Sequence, residues 1–206
     1  IFYFIQEDYA LKAKKYIGIS LIIIGVSIIT AALGMKYWAY KRQQAMINAF
    51  QKTIQQADTK DSSSEEKSSD KKSPALNQGA IGIMIIPKIN LNVAIGEGVD
   101  LDTLKYTVGH FPGTGQPGKP GNFCVAGHRS YTYSEYFNRL NEVTSGDEII
   151  IKTKKGEYKY KVYNSFVVEP SQVSVLNPTK DAELTLVTCT PIRVASHRLI
   201  VKARLE

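Results

Sequence analysis

Hydropathy divides the chain into three stretches. Residues 16–35, YIGISLIIIGVSIITAALGM, contain no charge and are bounded by Lys15 and Lys36. Twenty helical residues at about 1.5 Å each span about 30 Å, the hydrocarbon thickness of a bilayer. A buried core helix is shorter or keeps a polar stripe, and a cleavable signal peptide has an apolar core of only about 7–15 residues. The pattern therefore predicts an uncleaved transmembrane anchor at 16–35, preceded by a short segment at 1–15. Lys12, Lys14 and Lys15 precede the span and Lys36, Lys41 and Arg42 follow it, so flanking charge does not orient it. Tyr16, Tyr37, Trp38 and Tyr40 suit both interfaces.

Residues 36–79 are predicted as a polar tether, largely flexible. Residues 41–57 can continue as a polar helix. The run DTKDSSSEEKSSDKKSP at 58–74 then has no large apolar side chain and cannot bury a core.

From residue 80 to 206 the pattern changes to short β-branched runs. Strands are predicted at 81–89 and 91–95 (broken at Asn90), and at 122–128, 147–153, 157–168, 184–190 and 198–205. Lys154-Lys155-Gly156 reads as a hairpin turn. Two short helices are predicted, at 101–106 and 134–143, the latter from the helical spacing of Ser134 with Asn138 and Tyr136 with Leu140. HFPGTGQPGKPGN at 110–122 is a Gly/Pro-rich loop. Seven or eight short strands with few helices predict a mainly β domain, closed or nearly closed into a barrel.

Charge narrows the partners. The net charge of +7 is spread along the chain, with 11 basic and 7 acidic residues before residue 80 and 15 and 12 after it. A nucleic-acid binder needs a basic stripe with stacking aromatics in one domain, so no nucleic-acid partner is expected. Attraction to an anionic membrane or wall fits better. Two cysteines, Cys124 and Cys189, are too few for a disulfide scaffold or a cysteine zinc site. One bridge or one reactive thiol remains.

Three segments carry candidate chemistry. TLVTC ends at Cys189, before Thr190-Pro191, where the proline stops the strand and leaves a thiol near a strand end. The alternative is a buried cysteine acting as a small hydrophobe. CVAGHRS runs a strand into Gly127 and sets His128 where the chain turns. An imidazole there can assist deprotonation of a thiol and later protonate a leaving amine. A hydrogen-bonded loop histidine is the alternative. In SHRLIVKARL, Arg198 opens the last strand nine residues after Cys189, where a guanidinium can hold a substrate carbonyl and an oxyanion. A surface arginine is the alternative there, with Arg193 second in line for the role.

Together, AGHRS with His128, TLVTC with Cys189 and HRLIV with Arg198, in that order, resemble the sortase family. The loop GHFPGTGQPGKPGN is similar to the family's as well, and the resemblance covers residues 81–205. It implies an eight-stranded sortase-type β-barrel over 80–206, with Cys189 as nucleophile, His128 as acid/base and Arg198 as substrate and oxyanion clamp. Thr188 matches a threonine that supports the oxyanion, and strand spacing sets Ala126 and Val187 near the groove. The implied reaction cleaves an LPxTG-like sorting signal of exported proteins between Thr and Gly through a thioester. The protein is then passed to an amine of a peptidoglycan stem peptide or its lipid-linked precursor. No metal and no cofactor are expected. These partners meet outside the membrane, so residues 1–15 are expected in the cytoplasm and the barrel on the extracellular side.

Subclass features point most to class D, with class A second. The connection at 169–183 is too short for the helical insertion of class B, and neither a lid motif nor a second membrane helix of the pilin-polymerising type is expected. Two rival readings are a membrane-anchored cysteine peptidase and a non-catalytic surface-binding β-domain with a Cys124–Cys189 bridge. His110 and His197 are expected to be structural, and Cys124 a packing residue on the same strand face as His128.

Overall fold

A computed structural model describes residues 2–59, 80–129 and 135–206. Helix α1 runs over Phe2–Thr59, and the chain divides into two compact units after Trp38.

In the first unit, α1 exposes its apolar side chains all round, with Ile22, Ile28 and Leu33 each more than 60% exposed. Such a surface suits an apolar surrounding. The helix is long and apolar enough to cross a membrane, with a mean hydropathy of 2.4 in its most apolar window. Its hydroxyls are satisfied internally: Ser20 donates to the carbonyl of Ile17, Ser27 to that of Ile23 and Thr30 to that of Val26. This removes the penalty of placing them in hydrocarbon.

In the second unit, eight strands among the described residues close into a barrel: β1 (Gly82–Ile86), β2 (Leu91–Glu97), β3 (Val108–His110), β4 (Gly121–Ala126), β5 (Glu148–Thr153), β6 (Gly156–Val168), β7 (Ala182–Thr190) and β8 (His197–Leu205). The order around the barrel is β1-β2-β3-β4-β7-β8-β6-β5, and β5 returns to β1. Two pairings are parallel, β2 with β3 and β4 with β7. Alternation sends Met84, Ile86, Phe123, Val125, Leu184, Leu186 and Val201 into one buried core. Tyr136, Phe137, Leu140 and Val143 join it from outside the strands.

The strand predictions hold with shifted ends. The first run stops at Ile86, because Pro87 begins a 3-10 turn, Pro87–Ile89, closed by Asn90 in the left-handed region. Helix α2 forms at Leu101–Tyr106, capped by the Asp100 side chain on the Thr103 amide. The helix expected at 134–143 is instead a series of turns ending in a 3-10 turn at Leu140–Glu142, and residues 130–134 lie outside the described residues. The most deeply buried side chains there, Phe137, Leu140 and Val143, recur every three residues, as fits a 3-10 turn, with Tyr136 and Asn138 also buried. Strand β3 was not expected, since three residues carry no periodic signal.

Within the segment predicted as tether, the helix anticipated at 41–57 is present and packs on the barrel. Residues 36–59 are helical, and Ile47 and Phe50 are buried against Ile83 and Ala94 on the outer face of β1 and β2. Gln43 donates to the carbonyl of Asn92, and the Arg42 guanidinium lies 4.5 Å from the centre of the Tyr106 ring. This explains why β1 reads as an unbroken apolar run: both of its faces are covered. The polar stretch at 60–79 lies outside the described residues.

Phe50→Ala is expected to destabilise the second unit by about 3 kcal/mol, from lost transfer energy plus a residual cavity. Urea unfolding of the full chain in detergent, followed by barrel tyrosine fluorescence, measures it.

Candidate active site

Parallel pairing brings β4 and β7 to the same rim of the barrel, and β8 starts from that rim antiparallel to β7. In the ladder, Ala126 lies opposite Val187, an offset of 61 residues. Among the described residues, the last backbone bond between the two strands runs from the Gly127 amide to the Val187 carbonyl. Two side-chain bonds carry the same offset onward: Thr188 Oγ1 to the Gly127 carbonyl at 2.7 Å, and Arg129 Nη1 to Thr190 Oγ1 at 2.9 Å. His128 lies between these two bonds in sequence, and the same offset brings it level with Cys189.

Cys189 is in turn the register partner of Arg198 on β8. Cα atoms of such a pair are about 4.5–5.5 Å apart. Strand alternation puts Leu184, Leu186 and Leu199 inward and hence Cys189 and Arg198 outward. Cys189 and Arg198 thus share the outer face, and His128 follows the end of β4 at the same rim. Behind them runs a row of Ala126, Val187 and Ile200, in which Ala126 and Val187 are partly exposed.

Thr188 lies elsewhere. Adjacent strand residues face opposite sides, so Thr188 turns away from Cys189; it is 2% exposed, and its hydroxyl is given to Gly127. In this arrangement it ties the histidine strand to the cysteine strand. Arg198 Nη1 donates to the carbonyls of Ala195 and His197, which holds the guanidinium at the rim beside the 191–196 connection.

The two thiols sit in unlike surroundings. Cys124 is fully buried, with Sγ toward the carbonyls of Asn122 and Leu176, and burial pushes its thiol up to about 11. Its lid is the connection from β6 to β7, which Asn122 Nδ2 fastens by donating to the carbonyls of Val175 and Asn177. Cys189 is partly exposed, and both cysteines are free. Cys124 pairs with Thr185, four residues along β7 from Cys189, or roughly 13 Å, beyond the reach of a disulfide.

The other histidines are used in packing. His110 is buried, with Nδ1 2.8 Å from Glu97 Oε2 and Nε2 3.0 Å from Thr114 Oγ1. It pins the Gly/Pro-rich loop to β2. His197 Nε2 contacts Glu169 Oε1 at 2.9 Å, joining the start of β8 to the end of β6. Among the described residues, no group of three or more His, Cys, Asp or Glu side chains is placed to hold a metal ion.

Sequence reading passed over Gly127 and Arg129, although both stand in AGHRS. Gly127 lies against a ring: a Cβ there would fall 2.5 Å from Phe137 Cδ2. Gly127→Ala is expected to cost about 1–3 kcal/mol through overpacking, measurable by urea unfolding. Partial burial pushes the His128 imidazole below its ordinary 6.5. The unfolded chain then takes up that proton first, so the group costs nothing above pH 6.5 and progressively destabilises the fold as pH falls through the lower folded value. Unfolding free energies of the wild type are therefore expected to fall more steeply below pH 6.5 than those of His128→Gln.

Comparison with known proteins places this geometry in a family. The profile described as the sortase domain matches residues 84–206, more than half of the chain. Sortase D of Bacillus subtilis is 32% identical over 144 residues, covering 69% of this chain and 70% of that protein. Sortase SrtE1 of Streptomyces coelicolor is 29% identical over 214 residues, covering 95% of this chain; the chain spans only 58% of that relative's length. Among solved structures, the Clostridium perfringens Sortase D5 transpeptidase aligns with a TM-score of 0.61 at 30% identity, covering 84% of this chain and 99% of that one. Class D is consistent with these relatives, which also include other sortase classes. A closed barrel of matching architecture and the matched domain profile agree, and the chain belongs to the sortase family.

Proposed function

We propose that the protein is a cysteine transpeptidase that cleaves an LPxTG-like sorting signal and joins the released carboxyl end of an exported protein to a peptidoglycan amine. The reading is supported by the register that sets Cys189 opposite Arg198 on β8, and by the 61-residue offset that, carried past the end of β4 by the Thr188–Gly127 and Arg129–Thr190 bonds, brings His128 level with Cys189. Helix α1 acts as the anchor, and the barrel works on the extracellular side, where sorting substrates and wall precursors meet.

A sorting peptide lies in the groove along the Ala126–Val187 row. The Cys189 thiol gives its proton to His128, and sulfur attacks the threonine carbonyl carbon. Arg198, with a backbone amide, holds the oxyanion; such preorganised donors act on charge that exists only in the transition state. As the C–N bond breaks, protonated His128 passes the proton to the departing glycine amine, leaving a thioester on Cys189. The acceptor amine of a stem peptide or its lipid-linked precursor then attacks the thioester. Its proton returns through His128 to the cysteine sulfur, and a new amide is released. Because burial lowers His128, the imidazole is mainly neutral at pH 7 and ready to take the thiol proton. Thr188 contributes by holding Gly127, and through it the next residue, against β7.

The Cys124 thiol is held protonated by burial and has no route to substrate, which leaves Cys189 as the nucleophile. The test is mass spectrometry of the full chain with a Leu-Pro-x-Thr-Gly peptide panel and an amine acceptor. Cleavage after Thr with transfer to the amine is expected, with loss of all turnover and of the acyl adduct in Cys189→Ala. His128→Ala is expected to lower kcat/KM by about 10²–10⁴-fold and Arg198→Ala by about 10²–10³-fold. Hydrolysis without transfer would instead indicate a cysteine peptidase.

A further inference from the structure

The backbone ladder between β4 and β7 ends before the reacting residues. Among the described residues its last bond joins Gly127 to Val187, and no backbone hydrogen bond there holds residue 128 against residue 189. The next link is made by a side chain. Arg129, the residue after His128, reaches Thr190, the residue after Cys189, through Nη1 to Oγ1 at 2.9 Å. Its remaining donors go to the far side of the rim: Nη2 to Asn141 Oδ1 at 2.7 Å and Nε to the Asn138 carbonyl at 3.3 Å.

We propose that Arg129 is a positioning residue that extends the parallel register past the end of the ladder and so holds His128 within proton-transfer reach of Cys189. This rests on the catalytic roles proposed above. Alternation turns Arg129 and Thr190 away from the face that carries His128 and Cys189, so the guanidinium acts through its neighbour and not on the substrate. The bond spans the same 61 residues as the ladder, so it enforces one register and no other. Three acceptors in three directions require a rigid planar fork; a lysine ammonium on a flexible stem retains the charge but not that geometry. The pair Arg129–Thr190 and the pair Thr188–Gly127 therefore bracket His128 on both sides.

Iodoacetamide alkylation of Cys189 tests this without any sorting peptide, because alkylation reports how well the imidazole helps the thiol ionise. Full-length protein in detergent is used, and the labelled peptide is mapped to separate Cys189 from buried Cys124. In the wild-type background, His128→Ala is expected to slow alkylation about tenfold. In an Arg129→Ala background, His128→Ala is expected to cause no further slowing, as for two residues acting through one contact. Thr190→Val should reproduce the Arg129→Ala effect, Thr190→Ser should restore the wild-type rate, and Arg129→Lys should not. With a reactive peptide, Arg129→Ala should lower kcat with little change in KM. Should the His128 effect persist undiminished in both Arg129→Ala and Thr190→Val, the positioning role is overturned while the catalytic assignment stands. If His128→Ala leaves wild-type alkylation unchanged, the catalytic assignment fails and the positioning role falls with it.

Discussion

The parallel pairing of β4 with β7 is the constraint on which the rest of the molecule depends. Antiparallel neighbours would send the ends of these strands to opposite rims, with His128 and Cys189 the length of a strand apart. A parallel pair puts both strand ends at one rim, and the 61-residue offset sets which residues meet there. A parallel connection needs a long crossover, and here the hairpin of β5 and β6 fills it. That hairpin also closes the barrel, through β1 on one side and β8 on the other. The contact that builds the rim and the contacts that complete the core are therefore consequences of one topology.

Burial then divides similar side chains into different tasks. Cys124 stands in the middle of β4 and Cys189 near the end of β7; one lies beneath the connection fastened by Asn122 and the other is partly exposed. Desolvation suppresses ionisation of the first thiol. Histidines divide in the same way. His110 is enclosed with Glu97 and Thr114 and fastens a loop. His128 is partly buried just past the end of β4, where desolvation lowers its proton affinity.

Side chains also take over where backbone pairing stops. Thr188 and Arg129 hold the rim on either side of His128 with bonds that the strand ladder does not supply. At the other side of the barrel, Ile47 and Phe50 cover the outer face of β1, so that a helix segment outside the barrel completes its packing. Removing such a cover exposes apolar surface on Ile83 and Ala94, at a cost of about 25 cal/mol per Å².

Much of this was legible in the chain alone. An apolar run of membrane length, alternation with period two and the residue types in AGHRS, TLVTC and HRLIV are local properties, so the long apolar helix, most strands and the candidate side chains could be read directly. Local signals failed where the outcome depended on what lay opposite. Strand β3 is too short to show a period and forms because β2 and β4 flank it. The segment at 134–143 has helical spacing, but its buried side chains take a 3-10 turn. Ile47 and Phe50 look like isolated apolar residues in a polar stretch until β1 and β2 are present to receive them. Thr188 has the residue type for oxyanion support, yet its strand parity turns it inward to Gly127. The sequence determined which groups are available and which faces they occupy, because those follow from residue type and backbone period. Tertiary structure alone decided which of them meet, because the offset between β4 and β7 is set by the packing of the whole barrel and not by either strand.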